Sequence, residues 1–241
     1  MSQGEDTRQS HRTIDRMAAI LDHLARTPSG CTLSELAQAA RAPLTTTQGI
    51  VRGLVHNGYA DQNKRRYFLG RTTYLLNRRA GRELLPGISR SLLARVHEQV
   101  RLSVVLSVRI GEVGYYIDHI SEDPKFGHLA EDLLERPLLE NSAGWVHLAS
   151  MERAQLWEYL AKHSDQAELV SAFLAQMPKI LGTDLSVAPR ISKSAAGIAM
   201  GIREDGRLVS VVSVIGERHE LEERRQHVVN VLTSERDLRR S

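Results

Sequence analysis

Between residues 13 and 57, apolar side chains recur at helical spacing, and the pattern breaks twice. Ile14, Met17, Ala18, Leu21, Leu24 and Ala25 form one stripe, which predicts a helix capped by Thr13 with Asp15 in its first turn. It stops at Thr-Pro-Ser-Gly, residues 27–30. In CTLSELAQAA, Thr32 and Glu35 stand at the spacing of a capping box, so a short helix is expected from Leu33 to about Ala40. After Arg41-Ala42-Pro43 comes a third helix over residues 43–57, with Gly58 as its left-handed C-terminal cap. YADQNKRRYFLG then reads as two short strands, 59–69, around a turn at Gln62-Asn63-Lys64, with Lys64, Arg65 and Arg66 at the tip. RTTYLLNRRAG predicts another short helix over 71–81 with Tyr74, Leu75 and Leu76 turned inward, and Pro86-Gly87 breaks the chain.

Past the break the pattern is mixed. Residues 88–100 have helical spacing through Ile88, Leu92, Leu93, Val96 and Val100. SVVLSVRI and VGYYIDHI flank Gly111-Glu112, and AAGIAMGIRED and GRLVSVVSVIG meet at Asp205-Gly206, a strong two-residue hairpin signal. SAGWVHLASM, AQLWEYLAKH and LVSAFLAQM are helical between them, and 220–240 is a charged helix with Leu221, Val228, Val229 and Leu232 on its apolar side. The fold class is α+β: a winged helix-turn-helix over 13–70, a connecting helix over 71–86, and an antiparallel sheet with packed helices over 87–241.

Charge sharpens this division. Net charge is only +3, but residues 1–82 hold 13 Lys and Arg against 6 Asp and Glu, while the rest hold 19 against 23. A basic front on a mildly acidic back suggests a polyanion-binding module joined to something else. With 41% hydrophobic residues the chain can build real cores, yet runs such as AAGIAMGI fall far short of the ~20 residues a membrane span needs. The polar start MSQGEDTRQSHR has no apolar signal core, so a cytoplasmic protein is expected. Cys31 is the single cysteine, which excludes an internal disulfide and paired-cysteine metal or redox motifs.

No catalytic signature is present: there is no GxSxG, HExxH, phosphate-binding P-loop or GxGxxG. The ten histidines are scattered, with His119 beside Asp118 and His128, His147 and His163 further on. No catalytic residue, metal ligand or cofactor is assigned. The alternative is an enzyme or metabolite-binding protein acting through the back domain.

The third helix carries the chemistry. Three threonines and two glycines are poor helix formers, and each interior Gly costs about 1 kcal/mol against Ala. On a helical wheel Thr47, Ile50, Val51, Leu54 and Val55 share one side; Thr45, Gln48, Gly49, Arg52 and His56 share the other, with Thr46 alongside. Small and hydrogen-bonding groups of this kind suit close approach to base edges and phosphates, and Gln48 has the shape to pair with adenine. Arg52, Lys64, Arg65 and Arg66 would take phosphates. Thr45, Thr46, Gln48, Gly49, Arg52, Lys64, Arg65 and Arg66 are therefore the expected contacts to double-stranded DNA, with the helix in the major groove and the hairpin on the backbone.

TLSELAQAA, AP-TTTQGIVRGLVHNGY, RRYFLG, RPLLENSAGWVHLAS and AGIAMGIRED-GRLVSVVSVIG, in this order and spacing, resemble the IclR-type bacterial transcriptional regulators over nearly the whole chain from residue 13. The resemblance implies a linker helix, a GAF-like effector-binding domain, operator binding as repressor or activator, a homodimer or dimer of dimers, and a small organic or aromatic acid as effector. By the same resemblance Ser142, Ala143, Ala195, Gly197 and Ser213 bound the effector pocket, aided by Arg190 and Lys193. The pattern departs at Leu44, Gln48 and Gly49, where the family carries basic residues and a His-Arg pair. It departs again at Leu139, at Val187 and at Ser194-Ala195-Ala196-Gly197, which makes the pocket less polar and favours an amphipathic or aromatic acid over a very small one. Dimerisation is expected through residues 71–100.

Overall fold

The computed structural model describes residues 11–80, 90–133, 135–188 and 195–238. The chain divides into two compact units, Met1–Pro86 and Gly87–Ser241. The expected boundary at 82–87, Arg190 and Lys193 lie outside the described residues.

The front unit runs α1 (Arg12–Arg26), α2 (Leu33–Ala39), α3 (Leu44–His56), β1 (Ala60–Asn63), β2 (Arg66–Leu69) and α4 (Thr72–Arg79). Its core is Ile20, Leu24, Cys31, Leu36, Val51, Leu54 and Ala60. Each buried Leu, Ile or Val there contributes roughly 1.5–3 kcal/mol of transfer free energy. The capping box of α2 is present: the Thr32 side chain accepts from the Glu35 N–H, and the Glu35 carboxylate accepts from the Thr32 N–H at 2.6 Å. These bonds hold the Glu35 carboxyl below the usual carboxylate range.

Three details differ from expectation. The N-cap of α1 is His11 rather than Thr13, and Ile20 with Leu24 does the burying. Ile14 and Met17 are exposed, because the first two turns of α1 carry no buried residue. The hairpin turn is Lys64-Arg65, with Asn63 paired to Arg66 inside the strands. The reason is an outside anchor: Cys31 and Tyr67 exchange backbone bonds at 2.8 and 2.7 Å, which fixes the register of β2. Finally, Tyr74, Leu75 and Leu76 are turned outward, at 65%, 48% and 47% exposure. Helix α4 is tied to the end of α3 by its first residue, since the Thr72 N–H and hydroxyl donate to the carbonyls of Gly58 and Asn57.

The back unit runs α5 (Arg90–Val100), β3 (Ser103–Ile110), β4 (Val113–Ile120), β5 (Glu135–Pro137), α6 (Ser142–Ala149), α7 (Arg153–Lys162), α8 (Ala167–Thr183), β6 (Leu185–Ala188), β7 (Ala195–Glu204), β8 (Arg207–Glu217), α9 (Arg218–Glu223) and α10 (Arg225–Leu238). Both expected hairpins form, and the class is the α+β one expected. At the second turn Asp205 and Gly206 both have positive φ, 48° and 76°. Strands β3 and β8 pair, with Val105 opposite Ser213, and so join the hairpins into one antiparallel sheet of order β5-β4-β3-β8-β7-β6.

Alternation along the central strands buries both faces. Val105, Ala199, Val211 and Ile215 pack with α6, α7 and α8. Their neighbours Val104, Ile198, Val212 and Val214 are also buried, in the layer where α5 and α10 meet β3 and β7. The apolar side of α5 is therefore spent within its own unit, which removes it from the dimer surface expected over 71–100. Its Arg95 reaches the buried Glu235 of α10 with two bonds, 3.2 and 2.8 Å. Helix α8 continues through Pro178 to Thr183, past the expected end at Met177, because Phe173 and Ile180 anchor it on either side of the proline. Helix α6 is buried on every side.

Candidate nucleic-acid interface

Helix α3 sorts its residues as the wheel does. Thr47, Val51 and Leu54 are buried, and Thr45, Thr46, Gln48, Gly49, Arg52 and His56 are exposed. The buried Thr47 hydroxyl donates to the Pro43 carbonyl at 3.1 Å, so it carries no unmet polar cost. The exposed threonines, Gln48 and Arg52 make no side-chain hydrogen bond among the described residues. A Cβ built on Gly49 or Gly53 meets nothing within 4 Å. No packing within this unit requires either glycine.

The turns beside α3 add a residue that helical spacing does not show. Both α2 and α3 end in a Schellman motif. In α2 the N–H groups of Ala42 and Arg41 bond to Ala37 and Gln38; in α3 those of Tyr59 and Gly58 bond to Leu54 and Val55. The left-handed position is Gly58 after α3, but Arg41, at φ 46°, after α2. A side chain in that conformation costs roughly 1–2 kcal/mol. Lys64, at φ 54° on the hairpin tip, is the other non-glycine residue of the described front unit with positive φ. Both strained turn positions are thus exposed cations flanking α3. A signal for Arg41 exists in the sequence: an Arg where a helix stop normally carries Gly or Asn.

On the hairpin, Lys64 and Arg65 have side chains without partners among the described residues, whereas Arg66 donates to the Gly30 carbonyl at 2.7 Å. Arg66 therefore braces the hairpin against the α1–α2 turn.

The residues linked to an effector pocket lie in the back unit. Ser142 and Ala143 start α6, Ala195 and Gly197 start β7, and Ser213 is central in β8; all five are buried. The register sets Ser186, Ala199 and Ser213 in one row across β6, β7 and β8. The hydroxyls of Ser186 and Ser213 are buried without a hydrogen-bond partner among the described residues. Gly197 with Val187, Leu221 and Arg225 also borders a cavity of about 380 Å³. Among the described residues no group of three His, Cys, Asp or Glu is placed to hold a metal ion. Nor is any helix there long and apolar enough to cross a membrane.

Residues 13–64 match the IclR helix-turn-helix domain. Over the whole chain the fold is that of a candidate IclR transcriptional regulator from Silicibacter sp., with a TM-score of 0.74 at 19% identity over 93% of each chain. The front unit therefore carries a DNA-binding helix-turn-helix domain of the IclR type. An IclR-family regulator from Brucella abortus has a TM-score of 0.66 at 15% identity, over 95% of this chain and 92% of that one. An IclR homolog from Microbacterium hydrocarbonoxydans, complexed with 4-hydroxybenzoate, has a TM-score of 0.62 at 21% identity, over 92% and 99%. Comparison with curated protein sequences gives no match. At these identities the structures share the IclR fold with this chain; the residues of its sites stand on its own geometry.

Proposed function

We propose that this chain is an IclR-type transcriptional regulator that lays α3 in the major groove of operator DNA, sets the β1–β2 hairpin on the flanking backbone, and responds to a small organic or aromatic acid through its back unit. The observation that carries the DNA reading is the partner-free Thr-Gln-Gly-Arg face of α3, on which Gly49 leaves open space. Thr45, Thr46, Gln48 and Arg52 meet the groove; Lys64 and Arg65 take phosphates, and Arg66 positions them. Sensing is supported by the unpartnered hydroxyls of Ser186 and Ser213, since buried polar groups ordinarily find partners. The aromatic acid bound by the Microbacterium protein supplies the ligand class. Exposed Tyr74, Leu75 and Leu76, with Ile14 and Met17, supply apolar surface for a homodimer or a dimer of dimers.

An electrophoretic shift series in rising salt, on the promoter beside the protein's own gene, tests this reading. Affinity is expected to fall steeply, by about tenfold or more between 50 and 200 mM salt for a handful of phosphate contacts. Salt-independent binding, or none, overturns it. The same assay with 4-hydroxybenzoate tests the ligand arm, where an unchanged shift counts against aromatic acids.

Arg41→Gly is expected to move two readouts in opposite directions. Relief of the left-handed strain raises stability by about 1 kcal/mol, while loss of a phosphate contact weakens DNA binding several-fold and lowers the salt slope. Thermal melting and fluorescence anisotropy report the two; unchanged anisotropy would leave Arg41 without a role at DNA.

A further inference from the structure

At the far end of α6 from Ser142 and Ala143, a cavity of about 310 Å³ lies between that helix and the β7–β8 hairpin. Its wall includes the guanidinium residues Arg109, Arg203 and Arg207 together with His147 and Ser150, and among the described residues no Asp or Glu lines it. The three cations are not equivalent. Arg203 is locked in place: it donates to the Asp184 carboxylate at 2.8 Å, to the Ser150 hydroxyl at 3.1 Å and to the Gly206 carbonyl at 3.0 Å. Arg109 gives one nitrogen to the Gly111 carbonyl and has no acidic partner, and Arg207 has no side-chain partner among the described residues. The acids of the neighbouring turn, Glu204 and Asp205, do not line the cavity. Two guanidinium forks without counter-charges thus face one concave space, on strand ends held by a tight two-residue turn.

His147 makes the cavity different from a solvated cationic surface. It is 4% exposed, hydrogen-bonded through Nε2 to the Ser107 hydroxyl at 3.2 Å, and yet part of the wall. Burial and then the nearby Arg109 push its pKa down to about 3, so at neutral pH the imidazole is uncharged. The positive charge of the wall therefore belongs to the guanidiniums, whose planar forks match carboxylate and phosphate oxygens. The volume lies at the small end of the range for small-molecule sites, roughly 300–1,000 Å³.

We propose that this cavity binds a small dianion, a compound bearing a phosphate or two carboxylates, gripped by Arg109 and Arg207 against the fixed Arg203. The site is separate from the effector residues above: Ser142 and Ser150 stand about 12 Å apart along α6 at 1.5 Å per residue. It does not depend on the effector reading.

The test is calorimetric titration of the full-length protein with inorganic phosphate and, separately, succinate, at ionic strength held constant with sodium chloride. Saturable binding of at least one is expected, with a matching rise in melting temperature. Arg109→Gln combined with Arg207→Gln is expected to weaken it about tenfold or more, the loss of charge-assisted contacts, while Ser213→Val leaves it unchanged. Both arginines are exposed, so the double variant should melt at the wild-type temperature without ligand; if it does not, Arg207→Gln alone serves, since its side chain has no partner to lose among the described residues. Heats no larger than those of added chloride, or binding that survives loss of the arginines, would overturn the assignment.

Discussion

Gly49→Glu is expected to make the front unit more stable and to abolish its DNA binding. Position 49 is in the second turn of α3 and exposed, and a Cβ there meets nothing. Replacing an interior helical glycine with a good helix former recovers roughly 0.5–1 kcal/mol, because the backbone freedom lost on folding is smaller. For a unit of this size that is a rise of a few degrees in melting temperature. Binding goes the other way. A carboxylate among Thr45, Gln48 and Arg52 sets like charge against phosphate, which costs several kcal/mol and so at least about a hundredfold in affinity. Gly49→Ala separates bulk from charge: it should gain the same stability and lose little binding. Melting by circular dichroism and anisotropy on a labelled duplex read both effects, and wild-type affinity for Gly49→Glu would remove α3 from the DNA.

The same kind of change at Gly144 is expected to unfold the back unit. The segment Leu138–Glu140 folds over the start of α6 as one turn of 3₁₀-helix. Asn141 caps α6, accepting from the Gly144 N–H at 2.7 Å and donating to the Pro137 carbonyl at 2.6 Å, and the Trp145 indole donates to the Leu139 carbonyl at 2.8 Å. A Cβ on Gly144 would collide with the Leu138 carbonyl, Cα and carbonyl carbon, all backbone and unable to rotate aside. Gly144→Ala should therefore cost about 3 kcal/mol or more, a large share of the 5–15 kcal/mol that holds a domain together. Urea unfolding followed by tryptophan fluorescence suits this, since Trp145 sits in the affected core. A midpoint close to wild type would show that the turn over α6 relaxes freely. Two Gly→Ala changes in one chain are thus predicted to have opposite signs, decided by what surrounds each Cβ.

The front unit was readable because local chemistry determines it. Thr32 and Glu35 fix one helix start, Gly58 fixes a helix end, and the sides of α3 follow from spacing alone. Where the structure departs from the sequence expectation there, the cause is contacts distant in sequence. Cys31 bonding to Tyr67 moves the hairpin turn to Lys64-Arg65, and the apolar residues of α4 stay exposed. Helical spacing does not mark Arg41, whose distinguishing feature is its left-handed backbone. In the back unit the two long hairpins announced themselves by alternation and turn residues. Strands β5 and β6, three and four residues long, are too short to show a period. Their place in the sheet depends on pairing partners far along the chain. The cationic cavity combines residues of β3, α6 and the β7–β8 hairpin, which nothing in their linear order brings together.

The pairing of β3 with β8 has a consequence for how this protein comes into being. Strand β3 is made early and has to wait for β8 and the end of the chain before its second edge is covered. The buried core of the front unit, by contrast, is drawn entirely from the stretch Ile20 to Ala60. Chains dominated by short-range contacts fold orders of magnitude faster than those that must close long loops. On the ribosome the DNA-reading head is expected to be finished while the sheet is still an open, sticky edge, which makes the interval before β8 emerges the moment of greatest need for chaperones.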